Sequence, residues 1–331
     1  MTTLLNIVLG IAITATTLWG VGALYFSPLL PARARTFAAA SYGTASVLAF
    51  ELLPWPGTGI AALAIFAVLV VLFLRIPASN DRNWQPEVSV TPHATVNGDL
   101  VTIRGVRNFD YRSSSDFTPC WEERTYDLRK LDSVDIIAVY WAAKAVAHIM
   151  VSFGFEDRDY LAVSIEMRKQ RGESYSALGG CFRRYELYYV VGDERDVIRV
   201  RTTYREPQED VCIYRVRVGA RIIRRIFLDY METINDMHQR PRFYNTLTTN
   251  CTTSILMHAR MNPDSPSMSW KVLLSGYVPK YLYELGRIDT AKPFADLQTL
   301  SRVNERAHAA DKDSAFSQRL RQGLPKPEPL P

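Results

Sequence analysis

The chain holds four cysteines, and one of them sits in a setting that could make it reactive. In "FYNTLTTNCTTSI", Phe243 to Ile255, Cys251 follows Asn250 and opens an apolar-periodic run to about Met261. Asparagine is a strong N-cap residue, so this pattern predicts a helix that begins at the cysteine. A thiol in the first turn lies beside unpaired backbone amides and the positive end of the helix dipole, which lowers its pKa. Packed, inert cysteines also occur at helix starts, so the nucleophile reading requires a base.

The candidate bases are His93, His148, His238, His258 and His308. His93 and His308 lie in polar stretches, and His238 falls near the end of a long helical pattern. His258 is two helical turns past Cys251, which points it away from the helix mouth. His148 remains, at the start of a strand pattern. "AHIMVSFGF" and "DYLAVSIEMR" flank the charged turn "EDRD" and alternate on a two-residue period. If Gly154 faces Tyr160, the register sets His148 opposite Glu166, with β-carbons about 4.5–5.5 Å apart. A carboxylate there fixes the imidazole tautomer and stabilises the imidazolium. The competing reading pairs Glu166 with Arg168 or another arginine and leaves His148 a satisfied core histidine. A one-residue slip would turn Glu166 to the other face.

The elements that must carry these residues can be read around them. "YELYYVV", "DVIRVRTTY" and "DVCIYRVR" follow the hairpin and complete an antiparallel meander of about five strands. Val218, Ile222, Ile223, Ile226, Phe227, Tyr230, Met231 and Ile234 then form a helical stripe, predicting an amphipathic helix of about twenty residues. Ahead of this soluble part, Leu4 to Leu29 run almost without charge and are long enough to span a hydrocarbon layer of roughly 30 Å. Thr36 to Leu53 and Ile60 to Leu74 read as a helical hairpin closed by "PWPGTG". A cleaved signal is the alternative for the first stretch, opposed by its uncharged start and the apolar segments that follow. "GTGIAA" matches a dinucleotide-binding pattern only superficially, because it follows no strand.

These observations divide the chain into a membrane region over residues 1–75 with two to three apolar helices, a linker over 76–90, a thiol domain over 91–322, and a Pro-rich extended tail over 323–331. Arg33 and Arg35 favour a cytoplasmic first loop, which with three spans leaves everything after Arg75 in the cytoplasm; two spans reverse the answer. The 331 residues carry a formal charge of +5. Arg199, Arg201, Arg215, Arg217, Arg221, Arg224 and Arg225 could meet anionic headgroups, or serve as a solvated helix face and cross-strand partners of "GDERD". No recognition helix or stacking sheet motif accompanies them, which argues against nucleic acid. Cys120, Cys181, Cys212 and Cys251 lack paired short spacing, and there is no HExxH, which argues against a metal or other cofactor. Cys181 and Cys212 could form a disulfide if the domain is extracytoplasmic.

"RNFDYRSSSDFTPCWEERTYDL", "HIMVSFGFEDRDYLAVSIEMRK", "YELYYVVGDERDVIRVRT" and "FYNTLTTNCTTSI" resemble the motif blocks of the Lnb N-terminal periplasmic domain family, over about Asn80 to Gln322. The resemblance implies an α+β fold of circularly permuted papain-like type, an antiparallel sheet with packed helices, in which a histidine strand precedes the cysteine helix. It implies a thiol acyltransferase of the bacterial inner membrane with its catalytic domain in the periplasm. Cys251 would take an acyl chain from a phospholipid as a thioester and pass it to the N-terminal amine of a lipoprotein, with His148 moving the protons and Glu166 orienting it. The oxyanion would be held by the Cys251 N–H and a second donor, Asn250 or Tyr244, unless these are simply a cap and a core aromatic. Two other readings stay open: a cell-envelope cysteine amidase or peptidase of the same fold, and a non-catalytic binding module.

Overall fold

A computed structural model describes residues 2–52, 57–141, 143–262 and 265–330. The chain is an α+β protein that divides into two contact units: residues 1–79, 173–186 and 242–246 form one, and the remainder forms the other.

The first unit contains α1 (Thr2–Tyr25), α2 (Ala32–Leu52) and α3 (Gly57–Leu74), together with the short α4 (Ala177–Gly180). The windows Ile7–Tyr25 and Gly57–Leu74 are long and apolar enough to cross a membrane; α2, with Glu51 and two arginines, is not. Among the described residues, two spanning candidates are therefore found where the sequence allowed two or three. The α2–α3 turn expected at "PWPGTG" lies largely outside the described residues. Trp19 packs edge-on against Phe66 at 5.3 Å and Phe73 at 5.1 Å, which ties α1 to α3.

The second unit is built on a sheet whose strands are β1 (His93–Asn97), β2 (Leu100–Arg107), β5 (Trp121–Asp127), β6 (Leu131–Tyr140), β7 (Ala147–Phe155), β8 (Asp159–Arg168), β9 (Glu186–Asp193) and β10 (Asp210–Arg215); β3 (Asp110–Tyr111) and β4 (Phe117–Thr118) pair separately. The order is β1-β2-β9-β8-β7-β6-β10, with β5 also on β2. The sheet is larger than the expected meander, and β2 meets β9 in parallel at Arg107 and Gly192.

One expected strand is not one. "DVIRVRTTY" folds as the end of α5 (Glu194–Val197) and a π-helical turn, Val200–Tyr204. Asp193 accepts the N–H of Arg195, a side-chain cap that starts a helix where the alternating pattern suggested extension. Asp196 is held by Arg107 at 2.8 Å and by the Phe109 N–H, so the segment turns inward instead of pairing.

Both faces of the sheet are covered, which explains why β7 is buried along nearly its whole length. Successive side chains alternate between faces. Phe153 and Phe155 pack against Phe227 of α6 (Ala220–Gln239). Met150 instead joins a core with Ile137, Tyr188, Val303, Ala307, Phe316 and Leu320, most of the latter on the C-terminal helices α11 (Asn304–Ala309) and α12 (Phe316–Leu320). Arg321, just past α12, is buried against Asp135 and Glu194 at 2.7 Å each and stacks over Tyr160. The Pro-rich end, without helix or strand over residues 324–330, runs along the domain: Leu324 packs on the core and Lys326 pairs with Asp157 at 2.5 Å. All four cysteines are free thiols.

Candidate active site

The β7–β8 hairpin has the register that the turn implied. Gly154 faces Tyr160 and Met150 faces Ser164. A β-carbon on Gly154 would collide with Ser133 Oγ and the Tyr160 ring, so glycine is what permits the close approach at the hairpin neck. Continued to the open end of the hairpin, this register brings His148 and Glu166 together: His148 Nε2 is 3.1 Å from Glu166 Oε1.

Cys251 is the first residue of α7 (Cys251–Ala259). Asn250 caps the helix through a reciprocal box: its Oδ1 accepts the Thr253 N–H at 2.9 Å, and Thr253 Oγ1 accepts the Asn250 N–H at 2.9 Å. The helix is anchored twice more. Thr252 Oγ1 donates to Val272 O at 2.7 Å, and His258 is fully buried between Asp229, Tyr189 and the stacked ring of Tyr230. His258 thus faces α6 and β9, as its distance along the helix required, and acts as a fastener for α7.

These anchors bring the Cys251 thiol against the His148 imidazole, where it also meets the backbone N–H of Ile149. Burial alone would raise the thiol pKa, but the hydrogen bond and charge of His148 and the Ile149 amide bring it below its usual value. Burial likewise opposes the imidazolium, yet Glu166 and Cys251 outweigh it and push His148 up to about 9. For Glu166, burial is outweighed by the charges and hydrogen bonds of His148, Arg201 and Ser164, which hold its carboxyl well below the usual range. With the thiol pKa lowered and that of the imidazole raised, the electrostatics favour a thiolate–imidazolium pair.

Two further residues belong to this cluster, and sequence reasoning did not single out either role. Ser164 Oγ lies 2.6 Å from His148 Nε2 and donates to Glu166 Oε1 at 2.7 Å. Arg201, on the π-helical turn, donates to the same carboxylate oxygen at 2.8 Å. The period-two spacing of Ser164 and Glu166 was a usable signal for the serine; the misread strand concealed the arginine. Arg168, the competing partner, instead holds Val88 O and Asn80. Several other arginines are also engaged: Arg199 with Asp110, Arg215 with Asp135 and Arg224 with Asp99. Tyr244 belongs to the first unit, where its N–H donates to Tyr185 O.

An apolar cavity of about 150 Å³ lies between the sheet and helices α6 and α7, walled by Ile149, Val151, Ile222, Ile226, Thr252 and Leu256 among others. Neither Cys251 nor His148 lines it. Its wall nevertheless includes Ile149 and Thr252, their immediate chain neighbours, and the Ile149 amide faces the sulfur.

The site is a half-buried cysteine at a helix start, set against an imidazole that a carboxylate holds, an arrangement consistent with an enzyme-like domain. The comparison with known families agrees: residues 117–276 match the model of the Lnb N-terminal periplasmic domain. The match is just under half of the chain and contains Cys251, His148, Ser164, Glu166 and Arg201. No curated protein and no solved structure matches the chain. A periplasmic domain alongside two apolar helices of spanning length fits a membrane-anchored protein whose folded part faces the periplasm.

Proposed function

We propose that this protein is a membrane-anchored thiol acyltransferase that moves an acyl chain from a phospholipid to the N-terminal amine of a lipoprotein, working at the inner membrane. The observation that carries the reading is the Cys251–His148–Glu166 arrangement at the mouth of α7. The thiolate attacks the phospholipid ester carbonyl, and the tetrahedral intermediate collapses to a thioester as the lysolipid oxygen takes the proton from His148. The acceptor amine then attacks the thioester, gives a proton to His148, and leaves as an amide while Cys251 is regenerated. The order of histidine strand before cysteine helix is the one expected of a circularly permuted papain-like enzyme. No cofactor is needed for these steps, and nucleic acid has no part in them.

The apolar cavity supports transfer of an acyl chain over cleavage of a peptide. Its volume suits an apolar ligand of about benzene size, so it would hold a segment of the chain and leave the carbonyl to reach the sulfur. The Cys251 N–H is the natural first oxyanion donor. Asn250 uses its side-chain oxygen as a cap, so only its amide nitrogen could serve as the second; Tyr244 is the other proposed donor. Purified protein incubated with labelled phospholipid tests the reading, since an acyl-Cys251 peptide is its direct product. A hydrolase of the envelope with the same residues would show label released as free acid or cleaved peptide without an amine acceptor.

A further inference from the structure

Ser164 is a hydroxyl placed between two groups that both need it. Its Oγ is 2.6 Å from His148 Nε2 and donates to Glu166 Oε1 at 2.7 Å. A serine has one proton to give. With that proton on the carboxylate, Oγ accepts from His148, so the Nε2 position must carry the hydrogen. The remaining ring nitrogen, Nδ1, is then the one left to face the thiol and receive its proton. The residue is fully buried, so water does not compete for these bonds.

Arg201 acts on the same oxygen. It is buried on the π-helical turn, where its Nη2 donates to Glu166 Oε1 at 2.8 Å and its Nη1 reaches Glu209 at 3.5 Å. Glu209 in turn pairs with Arg205 at 2.7 Å. The turn is an irregularity in the backbone, of the kind often found beside functional sites. Here it delivers a guanidinium to a carboxylate that already serves an imidazole.

We infer that Ser164 and Arg201 are positioning residues for the thiol: Ser164 sets the His148 tautomer through its hydroxyl, and Arg201 holds the Glu166 carboxylate ionised and aimed at the ring. The inference rests on the thiol chemistry proposed above, and it requires no net proton transfer beyond Cys251 and His148. The thiol proton moves to Nδ1, while the Nε2–Ser164–Glu166 bonds shorten around the new charge. Arg201 opposes protonation of Glu166 as pH falls.

The test uses the full-length protein and a small alkylating reagent, iodoacetamide, so that no lipid or acceptor is needed. The rate of Cys251 modification is read from the mass of its peptide across pH 5 to 9, in the wild type, Ser164→Ala, Arg201→Lys, Arg201→Gln and His148→Ala, at equal folded fraction by circular dichroism. Ser164→Ala should lower the Cys251 rate near pH 6 by about tenfold, a shift of roughly one pKa unit in thiolate formation. Arg201→Gln should do the same with its largest effect below pH 6, and Arg201→Lys should recover part of the rate, which a merely structural arginine would not require. A Ser164→Ala or Arg201→Gln profile that overlays the wild type, while His148→Ala shifts, overturns the roles given to these two residues. A profile unmoved even by His148→Ala would instead remove the thiol–imidazole pair on which the function rests.

Discussion

His148 Nε2 lies 3.1 Å from Glu166 Oε1, on neighbouring strands whose register is set six residues away at the Gly154–Tyr160 neck. The two residues are 18 positions apart in sequence, and they come together because the hairpin turn fixes the alternation of every residue above it. The same carboxylate is shared with Ser164 and Arg201, so one acidic side chain links the imidazole to a hydroxyl and a guanidinium.

The first prediction concerns stability and pH. His148 is raised to about 9 from an ordinary value near 6.5, so its stabilising contribution is complete below about pH 6.5 and is lost as pH rises through 9. Glu166 is depressed, so its contribution is present above about pH 4.3 and lost as pH falls through its folded value. Chemical denaturation should therefore show Glu166→Gln most destabilised relative to wild type near pH 5.5, with the gap narrowing by pH 9.5. A gap that widens toward high pH would contradict this ion pair.

A second prediction separates the cavity from the chemistry. Ile222 lines the cavity from α6. Ile222→Trp should narrow it and lower acylation of Cys251 by a long-chain phospholipid at least tenfold, while alkylation by iodoacetamide stays within about twofold of wild type. Equal losses with both reagents would place the defect in folding and not in chain binding.

The third prediction tests the C-terminal region beyond the family match. Arg321 is buried with Asp135 and Glu194, which are themselves almost wholly inaccessible. Arg321→Ala strips buried Glu194 of this cation and leaves Asp135 with Arg215, and should cost about 3–5 kcal/mol of stability. Urea unfolding of detergent-solubilised protein measures it. A loss below about 1 kcal/mol would show that these groups are more hydrated than their burial indicates.

The fourth prediction follows from the lowered thiol pKa and its partner. Cys251 should react with iodoacetamide at pH 6 faster than a free thiol of pKa about 8.5, and His148→Ala should remove most of that advantage. Equal rates in the two proteins would mean that the helix start alone sets the reactivity.

Much of this site could be read because short-range rules govern it. Asn250 and Cys251 obey capping preference, and His148 and Glu166 follow from a hairpin whose turn and alternation are local. The amphipathic stripe on α6 was legible for the same reason. Arg201 was concealed because Asp193 and Asp196 override the alternating pattern of "DVIRVRTTY", one by capping a helix and the other by bonding to Arg107 and Phe109, which lie far away in sequence. The order of strands around the sheet was equally out of reach, since β2, β9 and β10 find their neighbours through long connections that no local pattern encodes. The fully buried His258 also illustrates the limit: its direction could be foreseen, but its partners Asp229 and Tyr189 are set by how α6, α7 and β9 pack.

The central claim is that Cys251 carries the acyl group. Full-length protein in detergent is incubated with phospholipid labelled in its acyl chains, quenched in acid and digested, and the Cys251 peptide is weighed. The account predicts a hydroxylamine-sensitive mass increase of one acyl group in the wild type, none of it in His148→Ala, and turnover reduced by several orders of magnitude in Cys251→Ser at equal folded concentration. Wild-type protein that transfers or releases acyl chains with no label ever on Cys251, or a serine variant that keeps its activity, would contradict it.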